Sequence, residues 1–200
     1  MLTALLLICA YLLGSVSSGV LVSRAFGLGD PRGGGSGNPG ATNVLRLGGG
    51  RAALLTLLGD TAKGLAAVLA AKLLSDQPLV WAAAGGAVFL GHLYPLFFGF
   101  RGGKGVATAI GALLGMNVAL AALLLAVWSG MVALFRYSSL AALTAAAAAP
   151  FIAYALGGGN ALIALCALLA GFLFWRHRAN IARLAGGSES KVRWTKRSPP

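Results

Sequence analysis

Between Gly33 and Arg46 the chain reads GGGSGNPGATNVLR, a stretch almost free of bulky side chains in a protein that is 58% hydrophobic. Glycines such as Gly35, Gly37 and Gly40 let backbone N–H groups converge on one point, which makes a nest for an anion. Ser36, Asn38, Thr42 and Asn43 add hydroxyl and amide donors. The run ATNVLR reads as a helix start, and a helix N-terminus also favours negative charge. Arg46 supplies a fork-shaped donor suited to phosphate oxygens. The competing reading is a flexible linker between two membrane helices, which has no use for these side chains at these spacings.

Three more motifs carry similar chemistry. In GHLYPLFFGFRGGKGVAT, Gly91 to Thr108, the permissive backbone of Gly102, Gly103 and Gly105 surrounds Lys104, a compact cation for phosphate. It is not a Walker A loop, because GxxxxGK[ST] and its preceding strand are missing. In RHRANIARL, Arg176 to Leu184, His177 and Asn180 are three residues apart and share a helix face. Arg136-Tyr137-Ser138-Ser139 is short and basic, and competes with a plain turn carrying a snorkelling arginine. Metal-ligand spacings and paired glycosidase-like carboxylates are missing, so neither metal nor cofactor is expected. Asp30 and Glu189 are the acidic residues of the basic loops. The chemistry must run on cations, backbone donors and at most one histidine, which suits anionic substrates that are already activated.

Membrane helices must position these residues. Only 10% of the 200 residues are charged, against roughly 25% in a soluble domain. Apolar runs reach the ~20 residues that cross a bilayer. The expected fold is an all-α, polytopic helix bundle in one domain, residues 1–200. The spans are placed at about 2–22, 52–74, 79–100, 106–116, 118–135, 138–156 and 160–175. Gly14, Ser15, Ser18 and Gly19 give small-residue pairs for close helix contact in the first span, which has no Lys or Arg before it and does not read as a signal peptide. The 30 apolar residues from Val106 to Phe135 are split near Gly115-Met116-Asn117 by topology. Fourteen of the sixteen Lys and Arg fall in the segments 24–51, 101–104, 136 and 176–197, and the positive-inside rule puts all of these on the cytoplasmic face. That requires an even number of crossings between Lys104 and Arg136, and again up to Arg176, with a turn at Gly157-Gly158-Gly159-Asn160. The result is seven transmembrane helices, two of them short, with the N-terminus outside and the C-terminus cytoplasmic. A re-entrant pair over 106–135 gives the same facing. The net charge of +12 follows the loops, so nucleic acid is not an expected partner. Cys9 and Cys166 lie in apolar runs and read as small hydrophobes. Asp60 and Lys63, at i,i+3, read as a neutralising structural pair, His92 as a hydrogen-bonded packing residue, and Lys191 to Arg197 as a membrane-surface anchor.

At GSGNPGATNVLR, GHLYPLFFGFRGGKGVAT, RYSSLA and RHRANIARL the sequence resembles the bacterial acyl-phosphate:glycerol-3-phosphate acyltransferases of the PlsY type. The resemblance runs over nearly the whole chain, in order and spacing. It departs at Ser17-Ser18, where a proline and a bulky residue are usual, at Ala179, where glutamate is common, and at Gly186, where asparagine is common. It implies a seven-span protein of the bacterial cytoplasmic (inner) membrane with its site on the cytoplasmic side. The implied reaction moves a fatty acyl group from acyl phosphate to the 1-hydroxyl of glycerol 3-phosphate, giving lysophosphatidic acid and phosphate. The implied partners are these two substrates, membrane lipids and the soluble enzyme that forms acyl phosphate. Such chemistry assigns Ser36, Gly37, Arg46 and Ser139 to one phosphate, Lys104 and Asn180 to the other, and His177 to the attacking hydroxyl. A phosphate oxygen of the donor is the alternative base. Two other functions stay open: a transporter or channel for phosphate-bearing solutes, and a polyprenyl-phosphate type transferase, which would need acidic metal ligands.

Overall fold

The first apolar stretch does not continue as one helix. In the computed structural model, which describes residues 1–192, α1 runs Leu2–Gly14 and α2 runs Ser18–Ala25. The span read as 2–22 is therefore broken at Ser15–Ser17. A break in an apolar environment leaves carbonyls without partners. Here the Nζ of Lys63 donates to the carbonyls of Gly14 at 3.0 Å and Val16 at 2.7 Å. Lys63 comes from the long helix α4, Gly50–Leu74, reached through the short helix α3, Ala41–Gly48.

The remaining elements are α5 (Pro78–Leu93), α6 (Val106–Met116), α7 (Val118–Phe135), α8 (Ser138–Ala155), α9 (Asn160–Arg176) and α10 (Arg178–Ala185). No strand occurs among the described residues. Among the described residues, five helical stretches are long and apolar enough to cross a membrane, or six if the bent pair α9–α10 counts as one. The stretch read as a span over 79–100 ends early, at Leu93. Pro95 cannot continue the ladder and disfavours helix at the residue before it, so the chain turns through a 3₁₀ segment, Leu96–Phe98. Asn117 divides α6 from α7 and accepts from the Leu120 N–H at 2.9 Å, a side-chain cap at a helix start.

Small residues bring the helices together. A Cβ on Gly64 of α4 would stand 2.2 Å from the Thr108 carbonyl oxygen, and one on Gly111 of α6 would stand 2.0 Å from that of Thr61. The two backbones therefore touch in both directions, as close membrane-helix packing requires. The main core gathers α5 to α9 around Phe89, Leu93, Leu120 and Leu169. The basic tail read as a surface anchor lies outside the described residues from position 193 onward.

Candidate active site

The glycine loop folds around a side chain rather than around empty space. Asn43, 1% exposed in the first half of α3, accepts from the Ser36 N–H at 2.8 Å and donates to the carbonyls of Pro31 and Gly34, each at 3.0 Å. The Gly37 N–H turns to the Gly34 carbonyl. Two N–H groups expected to face an anion are thus committed inside the loop, because a buried amide must satisfy its own valences. Gly35 is needed for this: its φ is +59°, and a Cβ there would stand 2.3 Å from Asn43 Oδ1. Ser36, Gly37 and Thr42 are exposed, Asn38 is half-buried, and Gly40 precedes α3 as its N-cap. Arg46 sits in the last turn of α3 rather than its first, with its side chain exposed.

The second glycine loop is clamped from two sides. The Gly103 N–H donates to the His92 carbonyl at 3.2 Å. From α9, Arg176 donates through Nε to Gly103 O at 3.1 Å and through Nη2 to Gly102 O at 2.8 Å. Arg32 reaches the same region: it pairs with Asp30 at 2.6 Å and donates to the Phe98 carbonyl at 2.7 Å. The Arg32 hydrogen bond holds the Asp30 carboxyl down at about 2, so this pair stays ionic at neutral pH. Arg32, Gly37, Arg101, Gly102 and Arg176 line a polar pocket of about 250 Å³ where the two glycine loops meet.

On the other side of the GGKG loop, α8, α10 and the tail converge. Lys104 Nζ hydrogen-bonds Asn180 Oδ1. Asn180 Nδ2 donates to Glu189 Oε1 at 2.6 Å, Ser139 Oγ donates to the same oxygen at 2.7 Å, and Arg183 Nε donates to Oε2 at 2.6 Å. The tail that carries Glu189 is held by the Val192 N–H, which donates to the Arg136 carbonyl at 2.7 Å. Burial works to raise the Glu189 carboxyl, but the three donors outweigh it and keep it below its ordinary value. Burial pushes the Lys104 ammonium down to about 8; Glu189 opposes this, while Arg183, Arg176 and Arg46 add to it. Arg46 is therefore electrostatically part of this cluster.

His177 occupies the bend between α9 and α10 and is 3% exposed. Its Nδ1 lies 2.8 Å from the Leu173 carbonyl. A carbonyl can only accept, so Nδ1 carries the hydrogen and Nε2 offers a lone pair. Burial first, then the charge of Lys104, push His177 down to about 4.

The structure thus joins Ser139 to Asn180 and Lys104 through Glu189, while the Ser36 and Gly37 N–H groups are tied within the first glycine loop. Ser138 opens α8 half-buried beside Ser139. Glu189, Arg176, Arg183 and Arg32 were missed as site residues. For Glu189 the signal was present in its rarity: an acidic residue in a basic loop needs a reason. An apolar cleft between α6, α7, α8 and α9 begins just past the cluster, at Val106, Ala142 and Leu173.

Known proteins resemble this chain in sequence and in fold. The family model for glycerol-3-phosphate acyltransferase matches residues 4–187. A glycerol-3-phosphate acyltransferase of Methylococcus capsulatus is 54% identical over 188 residues, 94% of this chain and 95% of the relative. One of Methylobacillus flagellatus is 57% identical over 189 residues, 94% of this chain and 95% of its own. The chain belongs to the glycerol-3-phosphate acyltransferase family. A crystal structure of a member, PlsY (YgiH), described as an integral membrane glycerol 3-phosphate acyltransferase in its glycerol 3-phosphate form, superposes with a TM-score of 0.92 at 37% identity. That match covers 96% of each chain. The lysophosphatidic acid form gives 0.90 at 36% identity, with the same coverage. The present acyltransferase is an integral membrane protein of the PlsY type.

Proposed function

We propose that this protein transfers a fatty acyl group from acyl phosphate to the 1-hydroxyl of glycerol 3-phosphate, releasing phosphate and lysophosphatidic acid. The observation that carries this reading is the cluster in which Asn180, Ser139 and Arg183 hold the Glu189 carboxylate and Lys104 holds Asn180, beside a neutral His177. Donors that hold a carboxylate also suit a phosphate. Lys104 gives one of its three N–H donors to Asn180, which leaves two for phosphate oxygens. The polar pocket lined by Arg32, Arg101 and Arg176 offers a second anion place across the same loop. The apolar cleft behind Val106 holds only about 30 Å³, so it supplies an apolar lining beside the cluster, and the acyl tail itself lies in the bilayer.

An acyl phosphate is a mixed anhydride, so no enzyme nucleophile is needed. The hydroxyl oxygen attacks the acyl carbon, the bond from that carbon to the phosphate oxygen breaks, and the proton leaves with the phosphate. Positioning and charge stabilisation then provide the catalysis. At about 4, His177 is a weaker base than a phosphate with its second pKa near ~6. His177 Nε2 therefore accepts from and orients the hydroxyl, while the donor's phosphate takes the proton. His177→Ala is expected to lower kcat about tenfold, the loss of one hydrogen bond worth ~1.5 kcal/mol, with the pH profile keeping its shape. An acidic limb present in the unaltered enzyme and lost on mutation would make His177 the base. The function itself is tested with purified protein, acyl phosphate and radiolabelled glycerol 3-phosphate: lysophosphatidate is the expected product. Passage of a labelled phosphate solute across sealed vesicles, without acylation, would favour a transporter instead.

Seven spans, with the N-terminus outside and the cluster on the cytoplasmic side of the inner membrane, accommodate the basic loops. With eleven residues, α6 rises about 16 Å, well short of a ~30 Å hydrocarbon core. The loop before it therefore sits recessed, which brings Lys104 within reach of a lipid headgroup. Single cysteines at Asn117 and Tyr137, in a background lacking Cys9 and Cys166, are expected to label from opposite sides of intact cells. Labelling from the same side would contradict the seven-span arrangement.

A further inference from the structure

A buried polar chain runs through the bundle toward the GGKG loop and takes no part in the steps above. It begins on α4. Asp60 and Lys63 are 2% and 5% exposed, and Lys63 Nζ lies 3.0 Å from Asp60 Oδ1. His92 Nδ1, on α5, approaches that same oxygen at 3.5 Å. The Lys63 contact is ionic, and neither contact is an aligned hydrogen bond, since Oδ1 has no partner of good hydrogen-bond geometry among the described residues. On its far edge His92 meets the loop: a Cβ on Gly103 would stand 2.2 Å from His92 Nε2, and one on Gly102 would stand 2.1 Å from His92 O.

A pair of buried charges is a poor way to stabilise a bundle, since apolar residues of similar volume serve as well or better. Intramembrane ionisable residues are retained for a task. Lys63 fixes the broken first helix through Gly14 and Val16, Asp60 is fixed by Lys63, and His92 is held between Asp60 and the backbone of Gly103. Lys104 is the next residue. Opposite His92, Arg176 grips the carbonyls of Gly102 and Gly103, so the loop is seated between a ring and a guanidinium.

We infer that Asp60, Lys63 and His92 are positioning residues that set the depth at which the GGKG loop presents Lys104 to substrate phosphate. They touch no reacting atom. The inference rests on the reading of Lys104 as a phosphate ligand for its catalytic meaning, but not for its geometry. Glu189 on the tail, Arg183 on α10, His177 at the bend, Arg176 on α9 and Arg46 on α3 are the charged and titratable groups around Lys104. Apart from His92 itself, which adjoins Gly103, none of these lies on α4 or α5, so changing the buried chain alters the seat of Lys104 and leaves its charged neighbours in place.

Labelling of Lys104 by a small amine-reactive reagent, followed across pH by peptide mass spectrometry on the full-length protein in detergent, reads that seat directly. In the unaltered protein the labelling midpoint is expected near pH 8. In His92→Ala it is expected to rise by at least about half a unit toward the ordinary lysine value, as the ammonium gains water. The alkaline limb of kcat/KM should rise with it, while kcat/KM at neutral pH falls at least ~5-fold per folded molecule. The double variant Asp60→Leu with Lys63→Met removes both charges together and avoids an unpaired buried ion; it is expected to shift the midpoint in the same direction. A midpoint that stays near 8 in both variants overturns the inference. A shift in His92→Ala alone overturns the part given to Asp60 and Lys63. If Lys104→Met retained full activity, the phosphate reading would fail while the labelling result still decided the geometry.

Discussion

Lys104→Met is expected to lower kcat/KM by about 10²–10³-fold, the range for removing one preorganised donor from a water-poor site. Methionine keeps much of the stem volume, so the loop between His92 and Arg176 should stay seated. The loss comes from the ammonium alone. Its protonation makes a pH prediction with a definite sign. Burial holds Lys104 down at about 8, and only the charged form binds phosphate. The kcat/KM profile of the unaltered enzyme should fall as pH rises through about 8, because kcat/KM reports the free enzyme. In the substrate complex a phosphate beside the ammonium favours the charged form, so the limb of kcat should lie at higher pH. Initial rates over pH 6 to ~10 at low and saturating substrate check both. Coincident limbs, or no limb below ~9, would place Lys104 away from the phosphate.

Arg46→Lys is expected to lower kcat/KM by roughly 10–150-fold with folding and membrane insertion unchanged, the cost of about 1.5–3 kcal/mol for one charge-assisted contact. The substitution keeps charge and helix propensity, and removes only the planar fork. Arg46 is exposed in the last turn of α3 and close enough to add to the lowering of Lys104. An arginine there has nothing to gain structurally from a neighbouring cation, and bidentate capture of a phosphate relieves the repulsion. Rates at sub-saturating acyl phosphate and at sub-saturating glycerol 3-phosphate would show which phosphate it holds. Near-normal rates in both conditions would leave Arg46 outside the site.

The parts of this fold that were legible in the sequence are those governed by neighbours in the chain. Asn117 and the Gly157–Gly159 run mark turns because capping amides and glycines act within a few residues. Helix α3 follows the same logic from Gly40. The break at Ser15–Ser17 was not legible. Both flanks are apolar, and the cation that satisfies the freed carbonyls lies 47 to 49 residues further on, at Lys63. Asp60, Lys63 and His92 were visible as buried polar residues with structural readings, but their link to Gly103 depends on where α5 ends. Asn43 was assigned to an anion because its type suits one. Only the folded loop, with Pro31, Gly34 and Ser36 around that amide, gives it the task of holding the loop. The link from Ser139 to Asn180 was not legible for a related reason: Glu189, 50 residues away, is what joins them.

Direct transfer between two phosphate-bearing substrates, without a covalent enzyme intermediate, is the claim on which the roles of Lys104, Arg46 and His177 depend. A single-turnover experiment with enzyme in excess over acyl [³²P]phosphate tests it most directly. Without glycerol 3-phosphate, no labelled phosphate above the rate of spontaneous hydrolysis is expected. On adding glycerol 3-phosphate, labelled phosphate and lysophosphatidic acid should appear together and in equal amounts. A burst of phosphate before glycerol 3-phosphate is added, leaving an acylated protein, would contradict direct transfer.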